Sequence, residues 1–246
     1  MQILLANTMN RLLYILSLIS SAFSMSCADG YRIVGSSNIH DIDGKTITLM
    51  APLYDDWSVL DSCEVLHGQF LMRGKTDTTV FATLCLDGQP IMPIIIESGK
   101  MAVTISDMVF KVEGTPLNDS LYAFIARKYK LDMQVVEMEH MELQMIMNGF
   151  SQHEIKHYTD SVYQVLGEDM RILVCDFIGN NYDNALGVCG FSMLCNGLPY
   201  PTITPLIQSV IEDAPQSFLE HPFIHEFLRV AHENTDKYGM ADAMAQ

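Results

Sequence analysis

Apolar residues along this chain come first in short runs and then in a helical rhythm. Between Tyr31 and Glu113 they fall in runs at 31–35, 45–50, 59–65, 69–74, 80–86, 91–97, 101–105 and 108–112. Turn pairs separate the runs, namely Asp43-Gly44, His67-Gly68, Asp87-Gly88 and Ser98-Gly99, residues that tolerate positive φ. Short strands at this spacing predict an antiparallel β-sandwich or a partly closed barrel. Pro93 stands inside one run and removes a ladder N–H, which places that strand at an edge or at a bulge. Beyond Gly114 the apolar spacing becomes three and four. Asn118 or Asp119 is expected to cap a long helix that runs to about Asn148 and stops at Gly149. Ser151 starts a second helix, expected to end at Gly179, and residues 184–195 form a third. Thr204-Pro205 and His221-Pro222 open two more with proline at the first helical position. The expected class is α+β: a β-sandwich-like domain over residues 27–114, an antiparallel helical domain over 115–240, and a frayed tail over 241–246.

Residues 1–26 read as a signal peptide, with Arg11, the apolar run 12–19 and small residues after it. That run is shorter than the roughly 20 residues of a membrane span. Ser24-Met-Ser-Cys27 has the outline of a bacterial lipobox, with serine where most have leucine. Either Cys27 is lipidated and becomes residue one, or an ordinary secretory peptidase cuts nearby and Cys27 is a loop thiol; the first reading is favoured. The expected location is the cell envelope, lipid-anchored to a membrane and facing the periplasm or the cell surface.

Composition narrows the partners. A formal charge of −16 repels phosphate backbones and anionic lipid head groups, which excludes nucleic acid and electrostatic membrane adhesion. An envelope protein or small molecule, neutral or cationic, fits better. Beyond Cys27, five cysteines remain from the six, with no C-x-x-C, so a dithiol site is not signalled and buried thiols are expected. Cys63 and Cys85, on two predicted strands, have the option of meeting as sheet neighbours.

His153-Glu-Ile-Lys-His157 matches the H-E-x-x-H pattern of zinc peptidases, in which two imidazoles one turn apart hold the metal and the carboxylate activates water. Lys156 sets a cation between those ligands and no third-ligand motif follows. Ser151 stands three residues before Glu154, the spacing of a capping box, and this accounts for Glu154 without any metal. Neither metal nor other cofactor is expected. His221 and His225 are read as a cap and a packed or surface imidazole. The methionine run 133–147 is read as core or adaptable contact surface, since Leu131, Val135, Met138, Glu142 and Met145 trace one helix face. Asp41-Ile-Asp43 and Asp55-Asp56-Trp57 are read as solvated acidic loops.

Taken together, Tyr31-Arg-Ile-Val-Gly35, Asp61-Ser-Cys-Glu-Val65, Gly68-Gln-Phe70, Arg73-Gly74, Glu97-Ser-Gly-Lys100 and Gly114-Thr-Pro-Leu-Asn118 resemble, in order, a known pattern. It is that of domain of unknown function 4369, the module placed before AhpC/TSA thioredoxin-like domains in envelope lipoproteins of the Bacteroidetes. The resemblance covers about residues 30–119; more loosely, the segment 177–187 is similar to the family's F-I-x-x-N-x-D-N-x-x-G. It implies no catalytic residue. Gly68, Phe70, Gly74, Gly99, Gly114 and Asn118 are fold markers, the glycines at turns or strand ends, with Asp61 and Ser62 bonding the adjacent turn. The thioredoxin domain of longer relatives would begin where this chain stops, which takes its redox chemistry out of the implication. The expected function is non-catalytic: an envelope lipoprotein that binds or scaffolds. One alternative is an accessory of thiol-disulfide oxidoreductases, beside a separate thioredoxin-like protein. Another is a zinc hydrolase using His153, Glu154 and His157.

Overall fold

The structure, a computed structural model, describes residues 30–53 and 56–244. Cys27 and the signal-like segment lie outside them, as do residues 245 and 246 of the expected tail. The strands are β1 (Gly30–Ser37), β2 (Thr46–Leu53), β3 (Asp56–Glu64), β4 (Gln69–Lys75), β5 (Val80–Leu86), β6 (Gln89–Ile96), β7 (Gly99–Ile105) and β8 (Phe110–Glu113). They form two four-stranded sheets, ordered β4-β1-β7-β8 and β3-β2-β5-β6. All neighbours are antiparallel except β1 and β7, which run parallel. Hairpin logic predicts antiparallel neighbours, but β1 and β7 are far apart in sequence and no tight turn joins them.

Alternation explains the packing. Ile33 pairs with Met72 on one side and Met101 on the other, and Leu49, Leu84 and Met92 form the matching row in the second sheet. All six side chains are buried and belong to one hydrophobic cluster, which fills the space between the sheets. Phe70 and Met72 share the inward face of β4, as their period-two spacing requires. Gly35 is the cross-strand partner of Phe70, and Gly74 is the partner of Tyr31. A Cβ at Gly35 would fall 2.0 Å from the Phe70 ring, and one at Gly74 would fall 2.5 Å from the Tyr31 ring. These two glycines lie within strands, not at turns, and each is covered by the ring opposite.

The turns hold with one correction. His67 and Asp87 take positive φ, 53° and 47°, ahead of their glycines. The backbone N–H of Gly68 donates to Asp43 Oδ1 at 3.2 Å, while Asp61 accepts, among the described residues, from Ser62 beside it. Asp43, not the Asp61-Ser62 pair, therefore clamps the β3–β4 turn. Asp56 and Trp57 belong to β3 and not to an acidic loop. β6, with Pro90 and Pro93, is an edge strand and also slips register against β5.

Six helices follow: α1 (Pro116–Met147), α2 (Gln152–Gly179), α3 (Ala185–Cys195), α4 (Pro205–Glu212), α5 (Gln216–Leu219) and α6 (Pro222–Met244). α1 begins earlier than its expected caps. Thr115 is the N-cap residue, makes no side-chain cap bond, and leaves Asn118 and Asp119 inside the first turn. The cap comes from across the junction instead. Glu97, just past β6, accepts from the backbone N–H groups of Leu117 and Asn118 at 3.0 and 3.2 Å. A carboxylate there also meets the positive end of the helix dipole. Asn118 is wholly buried and pairs with the edge of β6 as another strand would. Its Oδ1 accepts from Ile95 N–H at 3.0 Å and its Nδ2 donates to Ile95 C=O at 2.7 Å. Tyr122 adds a bond from its hydroxyl to Pro93 C=O at 2.8 Å. Gly114 turns the chain into this junction at φ 100°, where a Cβ would approach Lys100 C=O to 2.9 Å.

α1 and α2 form a long antiparallel hairpin, started by Phe124 and Phe177 stacked 4.0 Å apart. α3 lies against β5 and β6 on the outer face of the second sheet. The joint between α2 and α3 is built from asparagines. Asn181 Nδ2 donates to Phe177 C=O, Asn184 Nδ2 donates to Asn181 Oδ1, and Asn184 Oδ1 caps α3 by accepting from Leu186 N–H. Gly187 packs so tightly there that a Cβ would lie 2.3 Å from Asn181 C=O.

Candidate binding groove

The second sheet is apolar on both faces. Phe81, Ala82, Leu84 and Cys85 of β5 are all buried, in contrast to the strict alternation of β4. Leu84 and Ala82 face the other sheet, so Phe81 and Cys85 need a second cover. α3 supplies part of it, being apolar almost all round, with a buried run from Ala185 to Ser192. α1 covers the far end of the same face through Tyr122. Between these covers the sheet and α3 separate into a groove.

The groove has a volume of about 680 Å³. Its floor is Met50, Phe81, Thr83 and Cys85, with Trp57 on one wall and Met193 of α3 and its C-cap residue Asn196 on the other. Trp57 meets Phe81 edge to face at 6.4 Å and remains 43% exposed, so its ring reaches the mouth. Thioethers and aromatic rings make an adaptable apolar lining, and Thr83, Ser192 and Asn196 provide the few polar groups. A smaller cavity of about 530 Å³ lies beyond Phe81, toward Tyr182, Ser217 and His221. Among the described residues, His221 Nδ1 is the buried side-chain polar atom without a hydrogen-bond partner, and burial lowers that imidazole's pKa.

Of the residues singled out in the sequence, Trp57 and Cys85 reach the groove, while the candidate site residues lie elsewhere. Ser151 and Glu154 form the reciprocal capping box at the start of α2: Glu154 N–H donates to Ser151 Oγ, and Ser151 N–H donates to Glu154 Oε2 at 2.9 Å. His153 and His157 are exposed beside it. No group of three or more metal-ligating side chains occurs among the described residues. Gly68, Phe70, Gly74, Gly99, Gly114 and Asn118 lie in the strand pairing and the β–α junction, away from the groove. Cys63 and Cys85 are not sheet neighbours. Cys63 pairs with Ile47 and Cys85 with Thr48, so β2 separates them and their side chains take opposite faces. The five described cysteines are free thiols. Burial pushes Cys63, Cys85 and Cys175 above the usual thiol range, and Cys189 and Cys195 up to about 12. A thiol held protonated is a poor nucleophile.

Two facing sheets, edge-capped by a helix that continues into a helical array, make this an α+β protein whose β half is a sandwich-like module. Residues 31–121 match the family described as a domain of unknown function (DUF4369). The match runs past Gly114 and ends at Leu121, and so takes in the first turn of α1 with Thr115 and Asn118. No curated protein matches the chain. Among the described residues, no helix is long and apolar enough to cross a membrane.

Proposed function

We propose that this protein is a non-catalytic binding module of the cell envelope, anchored through a lipid on Cys27, whose groove takes a small apolar molecule that is neutral or cationic. The groove carries the reading. Its volume of about 680 Å³ falls within the range of ligand pockets, about 300–1,000 Å³, and its lining is mainly methionine, proline and aromatic rings with a few polar groups. The charge of −16 disfavours an anionic ligand. Support for the anchor comes from the lipobox outline and from the resemblance to envelope lipoproteins.

Trp57 is the one tryptophan of the sequence, so intrinsic fluorescence reports on the groove wall. Titration with the neutral apolar probe N-phenyl-1-naphthylamine is expected to quench Trp57 saturably by energy transfer. Met50→Lys and Met193→Lys, on the floor and on one wall of the groove, are each expected to weaken binding about tenfold or more, an ammonium in an apolar site being costly. Quenching that never saturates, or that both variants leave unchanged in folded protein, removes the groove as the binding site.

A further inference from the structure

Helix α1 carries two apolar stripes, and the fold uses one. Leu131, Val135, Met138, Glu142 and Met145 are buried or half-buried on the side toward α2. On the diametrically opposite side, Tyr129, Met133, Val136, Leu143 and Met147 are 62, 38, 39, 58 and 85% exposed. With His140 these positions step by four and three residues for more than two heptads, and Phe150, just past the helix, continues the series at 49% exposed. That repeat is the seam of a coiled coil, and a stripe this regular on a surface helix fits a partner helix. Scattered exposed apolar residues are ordinary, but a heptad-spaced row is not scatter.

The flanks of the seam select the partner. Glu137 lies on one side of it and Glu139 on the other, both exposed. Asp132 flanks it one turn earlier and is paired with Lys128, while Gln144 is neutral and Lys130 alone is basic among these flanking positions. A second copy of the chain would bring the same acidic flanks together, and like charges at these positions oppose pairing. We infer that the outward face of α1 docks an amphipathic helix with an apolar heptad stripe flanked by lysine or arginine. From Tyr129 to Met147 the seam offers about five turns, roughly 27 Å at 1.5 Å per residue. This site lies on the helical hairpin, and its existence is independent of the groove.

The test uses the full chain and two synthetic four-heptad peptides, both with leucine at the seam positions, one flanked by lysine and the other by glutamate. The lysine peptide is expected to bind about tenfold or more tightly than the glutamate peptide, and less tightly as salt rises. Val136→Ser with Leu143→Ser, which keeps the charge, is expected to weaken binding about tenfold, and so is Glu137→Gln with Glu139→Gln, which keeps the stripe. Val165→Ser with Ile172→Ser, at exposed apolar positions of α2, is expected to leave binding unchanged. Circular dichroism of each variant controls for folding. Equal binding of both peptides, or equal weakening by the α2 pair, overturns the inference. So does a dimer without peptide that the Val136/Leu143 pair dissolves, since a second copy would then own the face.

Discussion

Asn118 illustrates how much one side chain decides at the residue scale. Its amide satisfies both backbone groups of Ile95, and its Nδ2 also reaches Thr115 Oγ1 at 2.9 Å. Asn118→Leu keeps the approximate volume and orphans those groups, at about 1–3 kcal/mol for each buried polar group left unpaired. The urea midpoint is expected to fall accordingly, and an unchanged midpoint would show that water replaces the amide. Phe70 gives a second case. Phe70→Ala is expected to cost about 3–5 kcal/mol for a buried ring. Gly35→Ala is expected to destabilise as well, since its Cβ needs the space the ring occupies. The double variant should cost less than the sum, because removing the ring removes the clash. Strict additivity in a denaturant double-mutant cycle would separate the two positions. The presence of Gly35 and Phe70 was legible in the sequence, but their contact was not, because it depends on the register of strands that are distant along the chain.

Among the elements, what was local could be read and what was not local could not. The cap of α2 needs only Ser151 and Glu154, three residues apart, and the spacing announces it. The cap of α1 comes from Glu97, just past β6 and distant along the chain, so the local rule favoured Asn118 and Asp119 and misplaced the helix start. Strands and hairpin turns were visible from apolar runs and turn pairs. Which sheet each strand joins was not, and the parallel β1–β7 pair follows from that. The groove did leave a signal: β5 and β6 are apolar at consecutive positions, and such a strand needs cover on both faces. At the cap itself, Ser151→Ala is expected to cost about 1 kcal/mol in thermal or urea unfolding. Hydrogen bonds from Ser151 lower the Glu154 pKa, so its folded value lies below its unfolded one. The carboxylate therefore stabilises the protein above the ordinary glutamate range, and the benefit disappears as pH falls through the folded value. Thermal unfolding between pH 7 and 3 should show a shallower loss in Glu154→Gln than in the native chain, and identical pH profiles would remove this role.

For the whole molecule, net charge bears directly on the proposed anchor. A chain of net charge −16 has no electrostatic attraction to anionic lipid, so the proposed membrane association rests on covalent lipid alone. Cells expressing the native sequence are expected to hold the protein in the membrane fraction, and Cys27→Ser is expected to release it. Native protein found entirely in the soluble fraction would end the lipoprotein reading. Under the proposed anchoring, the β–α junction has a second consequence. A strand edge with unpaired N–H and C=O groups is a template on which neighbouring chains add strands, and anchoring many copies in two dimensions raises their encounter rate. β6 does not offer that template at Ile95, because Asn118 occupies both groups there, and Pro90 and Pro93 have no N–H to offer. The buried asparagine that starts the helical half thus also closes this stretch of the β6 edge to strand addition.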